Sequence, residues 1–307
     1  MEEVHIYCPA TIANISCGFD VLGVALDNVG DEMTVRRIPE RTIRITRIEG
    51  QDLPLATEQN VAGVAGMALL KAAEFDGGFE VEIIKKIKPG SGIGSSAASS
   101  AGAVWAMNHL LNSPFSPLQL VQFAMEGEKL ASDVAHADNV APALFGGFTL
   151  VRSYHPLDII SIPVPQELFA SIIHPQIEIK TSDSRKILKT TIPMETAIQQ
   201  WGNVGGLIAG LFLEDYDLIG RSLEDHIVEP IRSILIPGFD RTKQAALSAG
   251  ALGSGISGSG PSIYAFSRGR AMAEKVGLAM KAIYEDIGLE HDLHVSPINT
   301  QGIKIIR

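Results

Sequence analysis

The string Pro89-Gly90-Ser91-Gly92-Ile93-Gly94-Ser95-Ser96 separates a β-like run from an Ala-rich stretch, and its spacing suits an anion. Glycines at 90, 92 and 94 let the backbone turn tightly and approach a ligand closely. A helix starting near Ser95 would aim its free N–H groups and the positive end of its dipole at that loop, with the Ser95 and Ser96 hydroxyls as further donors or as a metal ligand. A nucleoside triphosphate is the natural guest. Residues 92–97 also match the dinucleotide pattern G-x-G-x-x-A, but the acidic ribose ligand expected about 20 residues on is absent from 111–118. A Walker loop fails because no Lys precedes the serines at the required place. A plain glycine-rich turn is the remaining alternative.

Three further groups could do chemistry. In the helix expected over 118–132, Gln119, Gln122, Glu126 and Lys129 share one face. Glu128 falls opposite, with Val121, Ala124, Met125 and Ala131, where a carboxylate needs a partner to offset desolvation. It is either half of a buried ion pair or a Mg2+ ligand. Next comes His136-Ala137-Asp138-Asn139, ahead of an apolar stretch ending at Gly146-Gly147. A capped turn is one reading of it; a His136–Asp138 metal pair lacks an evident third ligand. Finally, Arg185 in Thr181-Ser182-Asp183-Ser184-Arg185 and Arg232 in Glu229-Pro230-Ile231-Arg232 carry guanidinium forks that suit a carboxylate, although either one alone reads as a surface residue.

The elements that must hold these groups alternate along the chain. Strands are expected over 34–38, 42–48, 79–87 and 148–153, with helices over 60–75, 95–111 and 118–132. A domain boundary near residue 155 divides the chain into 1–155 and 156–307. Beyond it, strands at 170–174, 262–266 and 293–297 alternate with helices at 196–213, 217–222, 241–249 and 271–287. Such alternation predicts an α/β sandwich with antiparallel or mixed sheets. The glycine-rich string 253–260 lies between a helix and a strand, so it has no helix N-terminus of its own to offer; a backbone anion nest and a structural turn are both open.

Composition narrows the partners. With 46% hydrophobic and 20% charged residues over 307 positions the chain can bury a sizeable core. A formal charge of -10 argues against nucleic acid or an anionic membrane surface and for a small substrate. The start Met1-Glu2-Glu3 is acidic where an export signal would be basic, and the apolar windows 61–75 and 97–111 are too interrupted to span a bilayer. Cys8 and Cys17, with no metal spacing, read as inert packing thiols in a reducing cytoplasm.

Residues 89–99 resemble the phosphate-cradling second motif of the GHMP kinases, with Ile93 where Leu is usual. Residues 8–20, Cys-Pro-Ala-Thr-Ile-Ala-Asn-Ile-Ser-Cys-Gly-Phe-Asp, resemble its first motif, and 252–262 its third. The three stand in the family's order and span almost the whole chain. The resemblance implies an α+β, two-domain fold: an N-terminal unit like domain 2 of ribosomal protein S5 and a ferredoxin-like C-terminal unit, with the site between them. It implies ATP on Pro89, Gly90, Ser91, Gly92, Ile93, Gly94, Ser95, Ser96, Ala97, Ala98 and Ser99, with Asn60 near the adenine and Mg2+ on Ser96 and Glu128. The 136–147 string resembles the family's homoserine-phosphorylating branch. That branch's pattern implies acceptor contacts from Asn14, Asp20, His136, Asp138, Thr181, Arg185, Arg232 and Gly258. Asp138 and Asn139 compete for the place of a general base, and the proton could instead pass to the phosphoryl group itself, because a loose phosphoryl transfer depends on positioning and charge neutralisation. A relative acting on mevalonate or shikimate, or a nucleotide-binding regulator that lost catalysis, are the rival readings. A homodimer is a further implication of the resemblance.

Overall fold

The computed structural model describes residues 2–132, 135–179 and 181–306. Strands β1 (Glu3–Ala13) and β2 (Leu22–Ile38) pair antiparallel. Val4, Ile6, Cys8, Ala10 and Ile12 alternate onto one buried face of β1, as period-two patterning requires. Then come β3 (Ile43–Glu49), α1 (Val61–Ala72) and β4 (Gly78–Ile84), a crossover that brings β4 parallel to β3. Next are α2 (Ser95–Leu110), α3 (Pro117–Ser132) and α4 (Val140–Phe145), followed by the hairpin β5 (Phe148–Tyr154) and β6 (Leu157–Ile162).

α2 is buried nearly all round, as expected of a helix without a polar face. Its Ala- and Gly-rich sequence lets it lie close on β1: a side chain on Gly102 would meet Cys8 Sγ at 2.4 Å. Burial raises the Cys8 thiol's pKa and pushes that of Cys17 up to about 12, so both stay protonated and unreactive near neutral pH.

The second unit runs β7 (Leu168–Pro175), α5 (Thr181–Lys186), α6 (Met194–Leu213), α7 (Tyr216–Ser222), α8 (Glu229–Arg232), α9 (Phe239–Ala249), β8 (Gly253–Ile256), β9 (Ile263–Arg268), α10 (Arg270–Ile287) and β10 (His291–Pro297). The final strand, β11 (Lys304–Ile305), returns to β1. The described residues form a mixed seven-stranded sheet, β11-β1-β2-β4-β3 with β5 and β6 attached to β2, and a four-stranded sheet ordered β10-β7-β9-β8. The smaller sheet is antiparallel throughout, the ferredoxin-like split arrangement. Leu22, Phe148, Leu168 and Phe266 belong to one shared core, with Phe148 and Phe266 5.8 Å apart between ring centroids.

Three sequence expectations need correction. Residue 155 lies in the β5–β6 hairpin, and the passage from one sheet to the other comes between Ile162 and Leu168. The strand expected at 34–38 begins at Leu22; its turn-like Asp27 and Asn28 stay extended because their N–H groups both donate to Ser296 Oγ at 2.9 Å. The first half of the 253–260 string is strand β8, not a turn.

Candidate active site

A cleft of about 420 Å3 lies between the two units, lined by the glycine loop, Glu128, Asp138, Arg185 and Arg232. The loop is clamped from both sides. Thr11 N–H donates to Ile93 O at 3.1 Å, Ser262 N–H to Ser91 O at 3.2 Å, and Ser257 Oγ to Gly92 O at 2.7 Å. Gly92 has a φ of 84°, and a Cβ there would come within 2.6 Å of Gly260 O, so only glycine fits. Gly94 stands at the N-cap of α2 without a side-chain cap. The first amides of α2, through Ala97, therefore have no intrahelical carbonyl, an arrangement suited to phosphate.

The loop's side chains divide by role. Ser96 lines the cleft and donates to Glu128 Oε2 at 2.9 Å. Ser95 does not offer its hydroxyl to a ligand, contrary to expectation, because it donates to Ile87 O at 3.0 Å. Ser91, Ile93, Ala97 and Ala98 are buried behind the loop, while Pro89, Gly90 and Ser99 line the cleft. Asn60 also lines it, but its amide caps α1 by accepting from Ala62 N–H at 3.0 Å and donates to Pro54 O at 2.8 Å. Leu53, Pro54, Val61 and Ile83 give that end of the cleft an apolar wall.

Lys85, missed in the sequence, is buried beneath the loop with Asp31. Its ammonium pairs with Asp31 and donates to Ser95 O at 2.6 Å and Ser99 Oγ at 3.0 Å. Asp31 also takes the N–H groups of Lys86 and Ile87 at 2.7 and 2.8 Å. Such a pair is tolerated because its hydrogen bonds are satisfied. The available signal was a basic run, Lys85-Lys86-Ile87-Lys88, that reads as solvated.

α3 approaches α2 closely at Gly127, where a Cβ would meet Ser100 Oγ at 2.5 Å. That contact buries Glu128, which accepts from Ser96 and, at 3.3 Å, from Ser100. Burial pushes its carboxyl up to about 7, against the pull of the two hydroxyls and of Lys85. Asp138 is likewise pushed up to about 7, by burial first and then by the charges of Asp20 and Glu128. Two acids poised near neutrality in one cleft are a functional signature.

The opposite end of the cleft is built around the 14–20 turn. Asn14, Ile15, Ser16 and Asp20 all have left-handed φ, 71°, 44°, 54° and 61°, costly for an Ile. Asn14 holds this turn: its Oδ1 accepts from Asp20 N–H at 3.0 Å and its Nδ2 donates to Gly258 O at 2.7 Å. Asn14, expected as an acceptor contact, lines the cleft and also braces this turn. Gly258 offers its carbonyl to Asn14 and to Arg232, the latter at 3.2 Å, while its N–H donates to Ala13 O. With the amides of Ser257 and Gly260 also engaged in backbone bonds, the anion nest considered for this string is not formed by those three groups; the string instead backs the phosphate loop.

Asp20 meets Arg185 in a two-pronged ion pair, and Arg185 Nη2 reaches His136 Nε2 at 2.9 Å. Since a guanidinium only donates, Nε2 accepts and His136 is neutral; burial lowers its pKa accordingly. Phe19 underlies both guanidinium groups, 5.3 Å from Arg185 Cζ and 5.0 Å from Arg232 Cζ, a cation–π support that sequence reasoning missed. Arg232 is buried, donates from Nε to Ser184 O at 3.1 Å, and has its pKa pulled down to about 10 by burial and Arg185. Thr181 lies 3.3 Å from Ser259, hydroxyl to hydroxyl. α8 holds Arg232 in place through Asp225, whose carboxylate accepts from the N–H groups of Ile227, Val228 and Glu229. Among the described residues, no cluster of three His, Cys, Asp or Glu forms a metal site, and His136 is engaged by Arg185. No described helix is long and apolar enough to cross a membrane.

A helix start with free amides, facing a pair of arginines and buried acids, is suited to moving a phosphoryl group between two ligands. The GHMP kinases N terminal domain family matches residues 60–147 and the GHMP kinases C terminal family residues 207–286. The homoserine kinase of Chlorobaculum tepidum is 48% identical, with 100% of this chain and 99% of that protein covered. The chain belongs to the GHMP kinase family. The crystal structure of homoserine kinase from Cytophaga hutchinsonii superposes with a TM-score of 0.96 at 52% identity, covering 100% of this chain and 98% of that one. A mevalonate kinase from L. major, 15% identical with a TM-score of 0.69 over 95% of each chain, shares the GHMP kinase fold. As a GHMP kinase the chain is an ATP-dependent phosphotransferase.

Proposed function

We propose that this GHMP kinase transfers the γ-phosphoryl group of ATP to the side-chain hydroxyl of L-homoserine, giving O-phospho-L-homoserine for threonine synthesis. One observation carries the acceptor: Arg185 and Arg232 share the Phe19 ring while Asp20 pairs with Arg185, so positive and negative groups stand together as an amino-acid zwitterion needs them. The related homoserine kinases support the same acceptor.

In this reading the triphosphate lies on the 89–99 loop and the α2 N-terminus, with the base against Leu53, Pro54 and Asn60. Ser96 and Glu128 are hard oxygen donors 2.9 Å apart, which fits Mg2+; when bound, the ion neutralises charge on the phosphate oxygens. Arg232 and Arg185 take the substrate carboxylate, and Asp20 the ammonium. Asp138 orients the hydroxyl, whose proton passes either to it or to the phosphoryl group, while the amide of Asn139 donates toward the transferred group. The chain acts in the cytoplasm. It is also proposed to form a homodimer, for which the exposed row Met194, Ile198, Trp201 and Phe212 along α6 offers an apolar face.

Phosphorus NMR of the protein with MgATP and L-homoserine tests the reaction. A new phosphate monoester growing with ADP is expected; ADP and inorganic phosphate alone would contradict transfer to this acceptor.

A further inference from the structure

A buried threonine on β1 is hydrogen-bonded to the Asn139 amide. Thr11 is fully buried, and its hydroxyl donates to Asn139 Oδ1 at 2.7 Å. Asn139 stands at the N-cap of α4, where an Asn ordinarily turns its oxygen back onto the first helical N–H groups. It makes no such bond here, because Ala141 N–H already donates to Ala137 O at 2.7 Å and Pro142 has no N–H; its oxygen accepts from β1 instead. With Oδ1 engaged, the Nδ2 hydrogens are the end left for the cleft, which Asn139 lines. Thr11 is itself fixed against the phosphate loop. Its N–H donates to Ile93 O at 3.1 Å, and Gly94 lies so close that a Cβ there would be 2.0 Å from Thr11 Oγ1.

We infer that Thr11 is a positioning residue for phosphoryl transfer. Its hydroxyl locks Asn139 so that the amide N–H groups face the space where the γ-phosphoryl and the acceptor hydroxyl meet. The direction matters because a primary amide has one donating and one accepting end. The donating end stabilises negative phosphoryl oxygens; the accepting end repels them. Locking also turns the Asn139 oxygen toward Thr11, and an amide oxygen is in any case too weakly basic to take the hydroxyl proton. The inference rests on the kinase reading and deepens it.

The test compares Thr11→Val, which keeps the shape and removes the donor, with Thr11→Ser, which keeps the donor. Steady-state ADP release with MgATP and L-homoserine is measured for each, alone and combined with Asn139→Ala, alongside thermal melting. The expected result is a kcat about tenfold lower in Thr11→Val, with KM for ATP within about twofold of wild type. Thr11→Ser should keep most of kcat, and Thr11→Val should add little once Asn139 is Ala. An unchanged kcat in Thr11→Val, or the same fold loss in both backgrounds, overturns the inference. Asn139→Asp gives a check that leaves β1 untouched. It keeps an oxygen for Thr11 but replaces the N–H groups with a second oxygen, so kcat should fall about a hundredfold or more; wild-type kcat in that variant also overturns it. Wild-type protein that turns over no acceptor would instead remove the kinase reading, and this inference with it.

Discussion

Arg185 and Asp20 meet across the cleft from opposite units, Nη1 3.1 Å from Oδ2 and Nη2 2.8 Å from Oδ1. One residue comes from the left-handed turn after β1, the other from α5. A zwitterionic substrate can replace this pair without leaving either charge bare: its carboxylate takes the guanidinium and its ammonium the carboxylate. The internal pair therefore holds both groups ready for the substrate, and Asp20 offsets part of the repulsion between Arg185 and Arg232.

Arg185→Lys keeps the charge and loses the fork. KM for L-homoserine should rise about tenfold or more, with KM for ATP unchanged, in steady-state kinetics with each substrate varied. An equal rise in both constants would place Arg185 outside the acceptor end.

Glu128→Gln should separate stability from activity. The folded carboxyl is raised to about 7 from an ordinary 4.5, so between those values the native state holds a proton that the unfolded chain has released. Stability from this group therefore falls as pH rises through that window and stays reduced above it. Gln removes the effect, which is on the order of 3 kcal/mol. Melting at pH 8 should occur several degrees higher in Glu128→Gln than in wild type, while kcat drops sharply. A lower melting temperature at pH 8 would mean that Glu128 stabilises the fold as an anion.

Asp138 is raised to about 7, in part by Glu128, so the free protein titrates the two acids as a linked pair. If Glu128 takes Mg2+ as proposed, saturating MgATP holds it ionised, and the acidic limb of kcat then reports Asp138. If the carboxylate is the working form, kcat falls as pH drops below about 7, and Asp138→Asn loses both activity and that limb. A pH-independent wild-type kcat between 6 and 8 would leave proton transfer to the phosphoryl group.

How far the sequence discloses this site depends on the reach of each signal. Glu128 was legible because helical period alone puts it among Val121, Ala124 and Met125. The loop before α2 was legible as a tight turn at a helix start because three glycines separate a strand-like run from an Ala-rich one. Lys85 and Asp31 were not, since 54 residues separate them and only the β2–β4 register joins them. Asn14 shows a second limit: its type and place suggest a ligand contact and it does line the cleft, but no local pattern announces that its amide also holds the turn. The first half of strand β2 is illegible for a similar reason, because Asp27 and Asn28 are bonded to Ser296, which lies far along the chain.

The central claim is that the cleft reads an amino-acid zwitterion and phosphorylates its side-chain hydroxyl. It is tested most directly by ADP release with MgATP and a panel of L-homoserine, D-homoserine, L-serine, mevalonate and shikimate, against an acceptor-free control. The account predicts turnover strongly favouring L-homoserine. Preferred turnover of mevalonate or shikimate, which carry no ammonium for Asp20, would contradict it, as would tight ATP binding with no turnover on any acceptor.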